Sequence, residues 1–194
     1  MDFVENPQIP SYKIIMLGNS TVGKTSILTQ LDTNTFDPEP KATIGGSFIE
    51  KTIVGQQGPV KLQLWDTAGQ EQFRCLVPIY SRGAAAAVIV LDVSSPKSFE
   101  SFDEWYELVN RDKNQECEIF VAANKNDLEC VVDMAEVQKW ADKHNARVFS
   151  TSAKNRKSIE TLFDAIASTK FRNHIFTTDF KGPQDLNRKS KGCC

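Results

Sequence analysis

The eight residues GNSTVGKT at positions 18–25 have the types and spacing of a loop that binds polyphosphate. They match G-x-x-x-x-G-K-[ST], and they lie between an apolar run and a helical pattern, which is the context that this motif requires. The two glycines let the backbone approach phosphate oxygens, so that successive N–H groups from Thr21 to Ser26 face the anion. Lys24 would neutralise the β- and γ-phosphate oxygens, and the Thr25 hydroxyl would bind Mg²⁺. The predicted contacts are Gly18, Ser20, Thr21, Val22, Gly23, Lys24, Thr25 and Ser26; a glycine turn with an exposed lysine is the alternative.

Two later segments could bind the base of a nucleotide whose phosphates lie in this loop. NKND at positions 124–127 follows a predicted buried strand, where doubly wound sheets bind their ligands. Asp127 can accept hydrogen bonds from guanine N1–H and the exocyclic amine, whereas a buried Asp127 would be left unpaired against adenine. TSAK at positions 151–154 follows the strand-like segment RVFS. Each segment alone is also an ordinary polar turn, and a phosphate loop by itself is compatible with kinases, ATPases and GTPases.

WDTAGQE at positions 65–71 carries groups that are suited to phosphate hydrolysis. Asp66 can hold Mg²⁺ through water, and the Gly69 N–H can reach a γ-phosphate. Gln70 can orient an attacking water and is the predicted catalytic residue. The alternative is a glycine turn with a surface glutamine.

The elements that must position these segments alternate between strand and helix. Continuous apolar runs at 12–18, 84–92 and 118–124 predict parallel strands that are buried on both faces. Segments 48–54 and 60–65, separated by GQQG, predict a hairpin that adds an antiparallel edge strand. We therefore expect an α/β fold of the P-loop NTPase type, with a central, mostly parallel six-stranded sheet and helices on both faces.

Three helices have recognisable starts. One is predicted after Ser95-Pro96, with apolar positions that continue to Val109, and a second behind the capping-box segment DMAE at 133–136. The last is predicted from the apolar period that starts at Ile159, and it should end near Phe171.

Composition limits the class of protein. The 194 residues, 40% of them hydrophobic, are enough for one domain, and no apolar run approaches the length of a membrane span. The start MDFVENPQIPS does not resemble a signal or transit peptide. The net charge of −2 argues against a nucleic-acid binder driven by bulk charge. The internal cysteines Cys75, Cys117 and Cys130 are far apart, without metal-ligand spacing, which fits a reducing cytosol.

Together these motifs resemble those of the Ras superfamily of small GTPases and, within it, the Rab family. Five guanine-nucleotide segments occur in order over about residues 12–171: GNSTVGKT, the threonine of TIGG, WDTAGQE, NKND and TSAK. The resemblance implies a switch that binds GTP or GDP with Mg²⁺, hydrolyses GTP slowly and needs an activating protein. We expect a flexible extension over residues 1–10, a GTPase domain over 11–172 and, from its basic composition with few large apolar residues, a disordered tail over 173–194.

The resemblance assigns further roles around the nucleotide. Phe36 resembles the aromatic residue that covers guanine, Lys125 the lysine that flanks the base, and the Ala153 N–H the contact to guanine O6. Thr43 resembles the switch threonine that joins Mg²⁺ only when a γ-phosphate is present, which completes a metal set of Thr25, Thr43 and Asp66. The other implied nucleotide-binding residues are Gly69, Asn124, Asp127, Ser152 and Lys154.

Rab-type segments also imply a surface for effector proteins. Phe48, Trp65 and Tyr80 resemble the effector-facing aromatic triad, although core packing is an alternative explanation for them. Ile44 and Phe73 complete the predicted effector-facing set. The small residues at 45–47, with Pro78, resemble the endosomal branch of the family. Other implied partners are an exchange factor, an activating protein and escort or dissociation-inhibitor proteins, acting on a monomer.

The chain ends in RKSKGCC, and the resemblance implies that Cys193 and Cys194 each receive a geranylgeranyl group. A C-a-a-X signal does not apply, because Lys191 stands where its cysteine would be. One lipid chain binds a membrane only marginally and reversibly, whereas two chains give stable anchoring. From Lys181 onward, four basic residues against one aspartate add attraction to anionic leaflets. The implied location is the cytoplasmic face of intracellular membranes, cycling with the cytosol; a free or disulfide-linked cysteine pair is the alternative.

Two other functions stay open from the sequence. A P-loop kinase would need a lid and an arginine-rich acceptor site, and NKND would then be accidental. A non-enzymatic scaffold would bind nucleotide without turnover, and Gln70 argues against it.

Overall fold

The computed structural model describes residues 9–43, 46–69, 74, 76–111 and 116–171, and the structural statements that follow concern these ranges. Six strands form one sheet in the order β2-β3-β1-β4-β5-β6. Their bounds are Ser11–Leu17 (β1), Gly46–Gly55 (β2), Gly58–Thr67 (β3), Ala86–Asp92 (β4), Glu118–Asn124 (β5) and Arg147–Ser150 (β6). The edge strand β2 is antiparallel to β3 because a tight turn joins them, whereas β1, β3, β4, β5 and β6 are parallel. The predicted mostly parallel sheet with one antiparallel edge strand is confirmed.

Helices cover both faces of this sheet, as predicted. Their bounds are Lys24–Thr33 (α1), Val77–Ser81 (α2), Lys97–Glu100 (α3), Phe102–Val109 (α4), Met134–Lys143 (α5) and Arg156–Ala167 (α6). On one face, the core includes Ile27 of α1 and Phe163 of α6. On the other, it includes Trp105 of α4 and Trp140 of α5. Every residue of β4 is buried between the two layers, which explains its continuous apolar sequence.

Two helix predictions differ from the structure. The helix expected after Ser95-Pro96 is interrupted at Ser101, whose hydroxyl donates a hydrogen bond to Asn19 instead of continuing a regular helical surface. The last helix ends at Ala167, and Phe171 follows it as a non-helical residue whose ring packs at a tilt against Tyr12, with ring centroids 4.8 Å apart. The side chain of Phe171 is therefore apolar because it packs in the core, and it does not extend the helix. The predicted cap of α5 is confirmed, because the Asp133 carboxylate accepts from the N–H groups of Ala135 and Glu136.

The parallel strands bring the predicted site segments to one edge. Met16 of β1 is opposite Asp66 of β3, and Asp92 of β4 is opposite Asn124 of β5. The carboxyl ends of β1, β3, β5 and β6, with the residues that follow them, carry GNSTVGKT, WDTAG, NKND and TSAK. The fold therefore gathers motifs that are far apart in the sequence.

Candidate functional site

A cavity of about 430 Å³ opens at the carboxyl edge of the sheet. This volume lies within the range of small-molecule sites. Of the residues predicted to contact nucleotide, those lining the cavity are Ser20, Thr21, Gly23, Lys24, Thr25, Ser26, Phe36, Thr43, Gly69, Asn124, Lys125, Asp127, Ser152, Ala153 and Lys154. Gly18, Val22 and Asp66 lie behind this lining and are buried. The structure thus brings the predicted phosphate, metal and base residues around one space.

The phosphate loop has a backbone that only glycine tolerates at its two ends. Gly18 and Gly23 have φ angles of 131° and 98°, in the left-handed region. A Cβ on Gly23 would lie 2.4 Å from the Asn124 amide nitrogen. That amide donates a hydrogen bond of 2.8 Å to the Val22 carbonyl. Asn124 therefore braces the phosphate loop from the NKND segment.

Lys24 is held beneath the phosphate loop. Its ammonium donates to the carbonyls of Gly18 and Asn19, each at 2.8 Å, and the residue is 5% exposed. Burial lowers the pKa of Lys24 to about 8, and the charge of nearby Asp66 acts in the opposite direction. A Cβ on Gly69 would lie 2.4 Å from this ammonium, so only glycine lets that backbone come so close. Lys24 and Gly69 are therefore adjacent in the same part of the cavity.

Three oxygen-bearing side chains converge beside Lys24. The Thr25 hydroxyl donates to Asp66 Oδ2 at 2.6 Å and lies 2.8 Å from the Thr43 hydroxyl. Asp66 is 2% exposed, and burial raises the pKa of its carboxyl, against opposing effects from Thr25, Lys24 and Thr43. Its other oxygen, Oδ1, has no hydrogen-bond partner among the described residues. A buried, unsatisfied carboxylate oxygen is costly, and oxygen donors are what Mg²⁺ prefers, so this set fits Mg²⁺.

At the opposite end of the cavity, Asp127 is fixed by two donors. Ser152 Oγ donates to its Oδ1 at 2.6 Å, and Lys154 Nζ lies 2.8 Å from its Oδ2. These hydrogen bonds hold the pKa of the Asp127 carboxyl below its usual value. The side chain is 28% exposed, which is more than the sequence analysis assumed, because Asp127 lies beyond the end of β5. The Lys154 ammonium is also 5.6 Å from the centre of the Phe36 ring.

Asp92, at the end of β4, is a site residue that the sequence analysis missed. Its carboxylate accepts from Lys125 Nζ at 2.5 Å and from the Ser94 hydroxyl at 2.6 Å. Burial acts to raise the pKa of Asp92, but the hydrogen bonds from Lys125 and Ser94 outweigh it and the pKa is lowered. Lys125 has a φ of 63°, so its backbone is in a rarely adopted conformation. Asp92 thereby fixes the direction of the lysine that the resemblance places beside the base.

The three aromatic residues of the predicted effector triad contact one another. The rings of Phe48 and Trp65 are 5.4 Å apart, and those of Trp65 and Tyr80 are 6.1 Å apart. Trp65 is only 4% exposed and belongs to the core, whereas Phe48 and Tyr80 are half-buried. The Lys13 ammonium lies 4.4 Å from the centre of the Trp65 ring. Burial lowers the pKa of Lys13 to about 8. Core packing thus explains Trp65, and Phe48 and Tyr80 present the outer part of the cluster.

Several predicted residues fall outside the described ranges: Gln70, Ile44, Phe73, Cys193 and Cys194. Their roles stay predictions. In the part of the chain that is described, no helix has the length and apolar character to cross a membrane.

Burial raises the pKa of the Cys117 thiol to about 12, which favours a structural role for that cysteine.

Comparison with known proteins gives the same assignment as the geometry. The family model of the Ras family matches residues 13–172. The chain is 38% identical over 165 residues to "Ras-related protein Rab-5B" of Plasmodium falciparum (isolate 3D7), covering 84% of this chain and 80% of that relative. Residues 13–172, which the family model matches, include the phosphate loop, Thr25, Asp66, Asp127 and Ser152. The chain therefore belongs to the Ras family of small GTPases, in its Rab branch.

Proposed function

We propose that this protein is a Rab-type switch in vesicle trafficking that binds GTP and GDP with Mg²⁺ and hydrolyses GTP to GDP and phosphate. The observation that carries the proposal is the convergence of three sets of residues on one cavity. These sets are the phosphate loop, the Thr25–Thr43–Asp66 oxygens and the Asp127–Ser152–Lys154 cluster.

The base end of the cavity favours guanine. Asp127 would accept hydrogen bonds from guanine N1–H and the exocyclic amine, and the Ser152 hydroxyl holds its carboxylate in place. The Ala153 N–H would donate to guanine O6. Phe36, which is 39% exposed, and Lys125, held by Asp92, would cover the two faces of the base. A site built on an acceptor pair rejects a base that lacks the matching donors.

The phosphate end would hold and polarise the triphosphate. The N–H groups of the phosphate loop and the Lys24 ammonium would bind phosphate oxygens. Thr25, Thr43 and Asp66 would hold Mg²⁺, which when bound neutralises charge that develops between the β- and γ-phosphates. The Thr43 hydroxyl and the Gly69 N–H are the groups whose contacts would depend on the γ-phosphate, and they lie on the two segments that would change with nucleotide state.

Hydrolysis would proceed by attack of a water that Gln70 orients. None of the described residues that line the cavity is an arginine. An arginine supplied by an activating protein accelerates related enzymes by about 10³–10⁵-fold, so the unassisted rate should be low. Exchange, activating and effector proteins are therefore proposed partners, with Phe48 and Tyr80 in the effector surface.

We further propose that the tail attaches the protein to the cytoplasmic face of endosomal membranes through prenylated Cys193 and Cys194. Two lipid chains and a basic segment provide the combination that stable anchoring requires. An escort or dissociation-inhibitor protein would cover the lipids in the cytosol. The endosomal assignment rests on the resemblance of residues 45–47 and Pro78 to that branch of the family.

A single-turnover assay tests the enzymatic proposal. Protein loaded with radiolabelled GTP should release phosphate slowly on addition of Mg²⁺, whereas ATP should neither load nor react. Gln70→Leu should bind GTP normally and hydrolyse it more slowly, because it removes water orientation and no ground-state contact. Gln138→Leu is the matched control, since that amide contacts Asp142 on α5 and lies away from the cavity. Equal loading of ATP, or wild-type turnover by Gln70→Leu, would contradict the proposal.

A further inference from the structure

The side chain of Asn19, in the phosphate loop, makes four hydrogen bonds to groups outside that loop. Its Oδ1 accepts from Ser101 Oγ at 2.8 Å, from Trp105 Nε1 at 3.1 Å and from Arg74 Nη2 at 3.2 Å. Its amide nitrogen donates to the Lys97 carbonyl at 3.2 Å. Asn19 is not among the residues that line the cavity. Its side chain therefore joins the phosphate loop to the region of α3 and α4.

The groups that hold Asn19 belong to a well-packed layer of the protein. Trp105 is fully buried on α4 and belongs to the core on that face of the sheet. A buried indole N–H needs an acceptor, and Asn19 Oδ1 provides it. Ser101 lies at the break between α3 and α4, and Lys97 is the first residue of α3. Asn19 is thus attached at three points to one layer of helices.

The main-chain carbonyl of the same residue holds Lys24. The Lys24 ammonium donates to the Asn19 carbonyl at 2.8 Å, and Lys24 lines the cavity. A Cβ on Gly69 would lie 2.5 Å from this carbonyl oxygen, so the carbonyl is closely covered by neighbouring backbone. One residue therefore contacts α4 with its side chain and the phosphate-binding lysine with its main chain.

The conformation of the phosphate loop depends on contacts from outside it. Gly18, which precedes Asn19, has a φ of 131°, and Thr21 has a φ of 66°, which is uncommon for a residue with a side chain. A glycine gives the chain many alternative conformations, and uncommon backbone conformations persist where the surrounding structure imposes them. One such contact is made by the Asn124 amide at Val22. The Asn19 side chain provides a second contact, nearer the start of the loop.

We infer that Asn19 is a positioning residue for the nucleotide phosphates: its side chain fixes its own carbonyl relative to α4, and this carbonyl fixes the Lys24 ammonium. The inference rests on the proposed function. The Asn19 side chain does not bind the nucleotide and acts through Lys24. The competing explanation is that these hydrogen bonds only attach α4 to the domain. Their loss would then destabilise the fold without a selective effect on phosphate binding.

Nucleotides with and without a β-phosphate distinguish the two explanations. Asn19→Ala should speed the dissociation of a fluorescent GDP and raise the Kd for GDP about fivefold, which corresponds to the net contribution of one hydrogen bond. The Kd for GMP, measured by competition, should change less than about twofold, because Lys24 binds β- and γ-phosphate oxygens and GMP has neither. A loosened fold would weaken the binding of both nucleotides alike.

A double-mutant cycle with Lys24 tests whether the effect passes through that lysine. Lys24→Ala removes the group that the Asn19 carbonyl holds, so adding Asn19→Ala to it should weaken GDP binding no further. Ser101→Ala removes one of the four hydrogen bonds of the Asn19 side chain and should raise the Kd for GDP about twofold. Ser101→Thr keeps the hydroxyl and should restore the affinity that Ser101→Ala loses.

Asn110→Ala is the matched control. The Asn110 amide also makes a hydrogen bond to α4, since it donates to the Tyr106 carbonyl at 3.0 Å. Asn110 has no contact with the phosphate loop among these hydrogen bonds and is not among the residues of the cavity lining. This variant should bind GDP and GMP as the wild-type protein does.

The possible results separate clearly. If wild-type protein binds GDP and Asn19→Ala binds it equally well, the inference is overturned and the proposed function stands. Equal losses for GDP and GMP, or an additive loss in the double variant with Lys24→Ala, also overturn it. If wild-type protein does not bind GDP, the proposed function fails and the inference fails with it.

Should Asn19→Ala not fold, Ser101→Ala and Ser101→Thr are titrated with GDP and GMP instead. A loss for GDP alone that threonine restores supports the inference, and any other pattern overturns it.

Discussion

Replacing Asp127 by asparagine should weaken GTP binding about a hundredfold. The carboxylate is positioned by the Ser152 hydroxyl at 2.6 Å and faces the cavity beside Lys154. An amide keeps one acceptor and presents a donor where guanine also donates. Losing one charge-assisted hydrogen bond and leaving a donor unpaired costs about 3 kcal/mol in all. Since about 1.4 kcal/mol corresponds to a factor of ten, the dissociation constant should rise about a hundredfold.

Titration of a fluorescent GTP analogue with Mg²⁺ measures this change directly. Xanthosine triphosphate, which has a carbonyl where guanine has its amine, should bind D127N better than wild-type protein. Asp133→Asn is the control, because that carboxylate caps α5 and asparagine is also a good cap. Unchanged GTP affinity in D127N, or no gain for xanthosine triphosphate, would refute the assignment of Asp127 to the base.

Three further changes test other parts of the site and the tail. Thr25→Asn should weaken the binding of GTP more than the binding of GDP. The Thr25 hydroxyl lies 2.6 Å from Asp66 in the metal set, and binding of the γ-phosphate depends more on the metal. Equal losses of affinity for the two nucleotides in paired titrations would contradict this. Burial lowers the pKa of Lys24 to about 8, so this amine is mostly neutral at pH 9, and bound phosphates would raise its pKa. Binding of GDP should therefore take up about one proton at pH 9 and only about a tenth of a proton at pH 7. Calorimetry in buffers of different ionisation enthalpy measures this uptake, and equal uptake at the two pH values would contradict a phosphate contact with a neutral Lys24. Replacing Cys193 and Cys194 by serine should leave hydrolysis intact and move the protein from membranes to the soluble fraction of cells. Cell fractionation measures the location, and intact mass shows whether the lipids are attached. If the double variant still pellets with membranes, the lipid anchor is ruled out.

The parts of the fold that sequence predicted well depend on neighbouring residues. The strand at 118–124 and the hairpin on either side of GQQG are encoded by short patterns, and the structure reproduces them. The nucleotide motifs are likewise contiguous, so their residue types and order were sufficient to place them around one cavity.

The parts that sequence missed depend on contacts between distant residues. Asp92 and Lys125 are 33 positions apart, and Asn19 and Ser101 are 82 positions apart. No local pattern shows that a serine inside a helical period will turn its hydroxyl to the phosphate loop. Similarly, the apolar residue Phe171 fits the helical period of α6, but its contact is with Tyr12 on β1. Periodicity records that a residue is buried, not which element buries it.

The contact between Phe171 and Tyr12 sets the place from which a tail anchored to a membrane would leave the domain. Tyr12 is near the amino end of β1, whereas the cavity lies at the carboxyl end of that strand, about 20 Å away at the rise of an extended chain. Phe171, the last described residue, therefore lies at the edge of the sheet opposite the cavity. The 23 residues after Phe171 can span at most about 80 Å. A domain tethered through Cys193 and Cys194 would thus have its cavity on the side away from the tether, and the length of the tail would leave room beneath the domain for a partner bound to the same membrane.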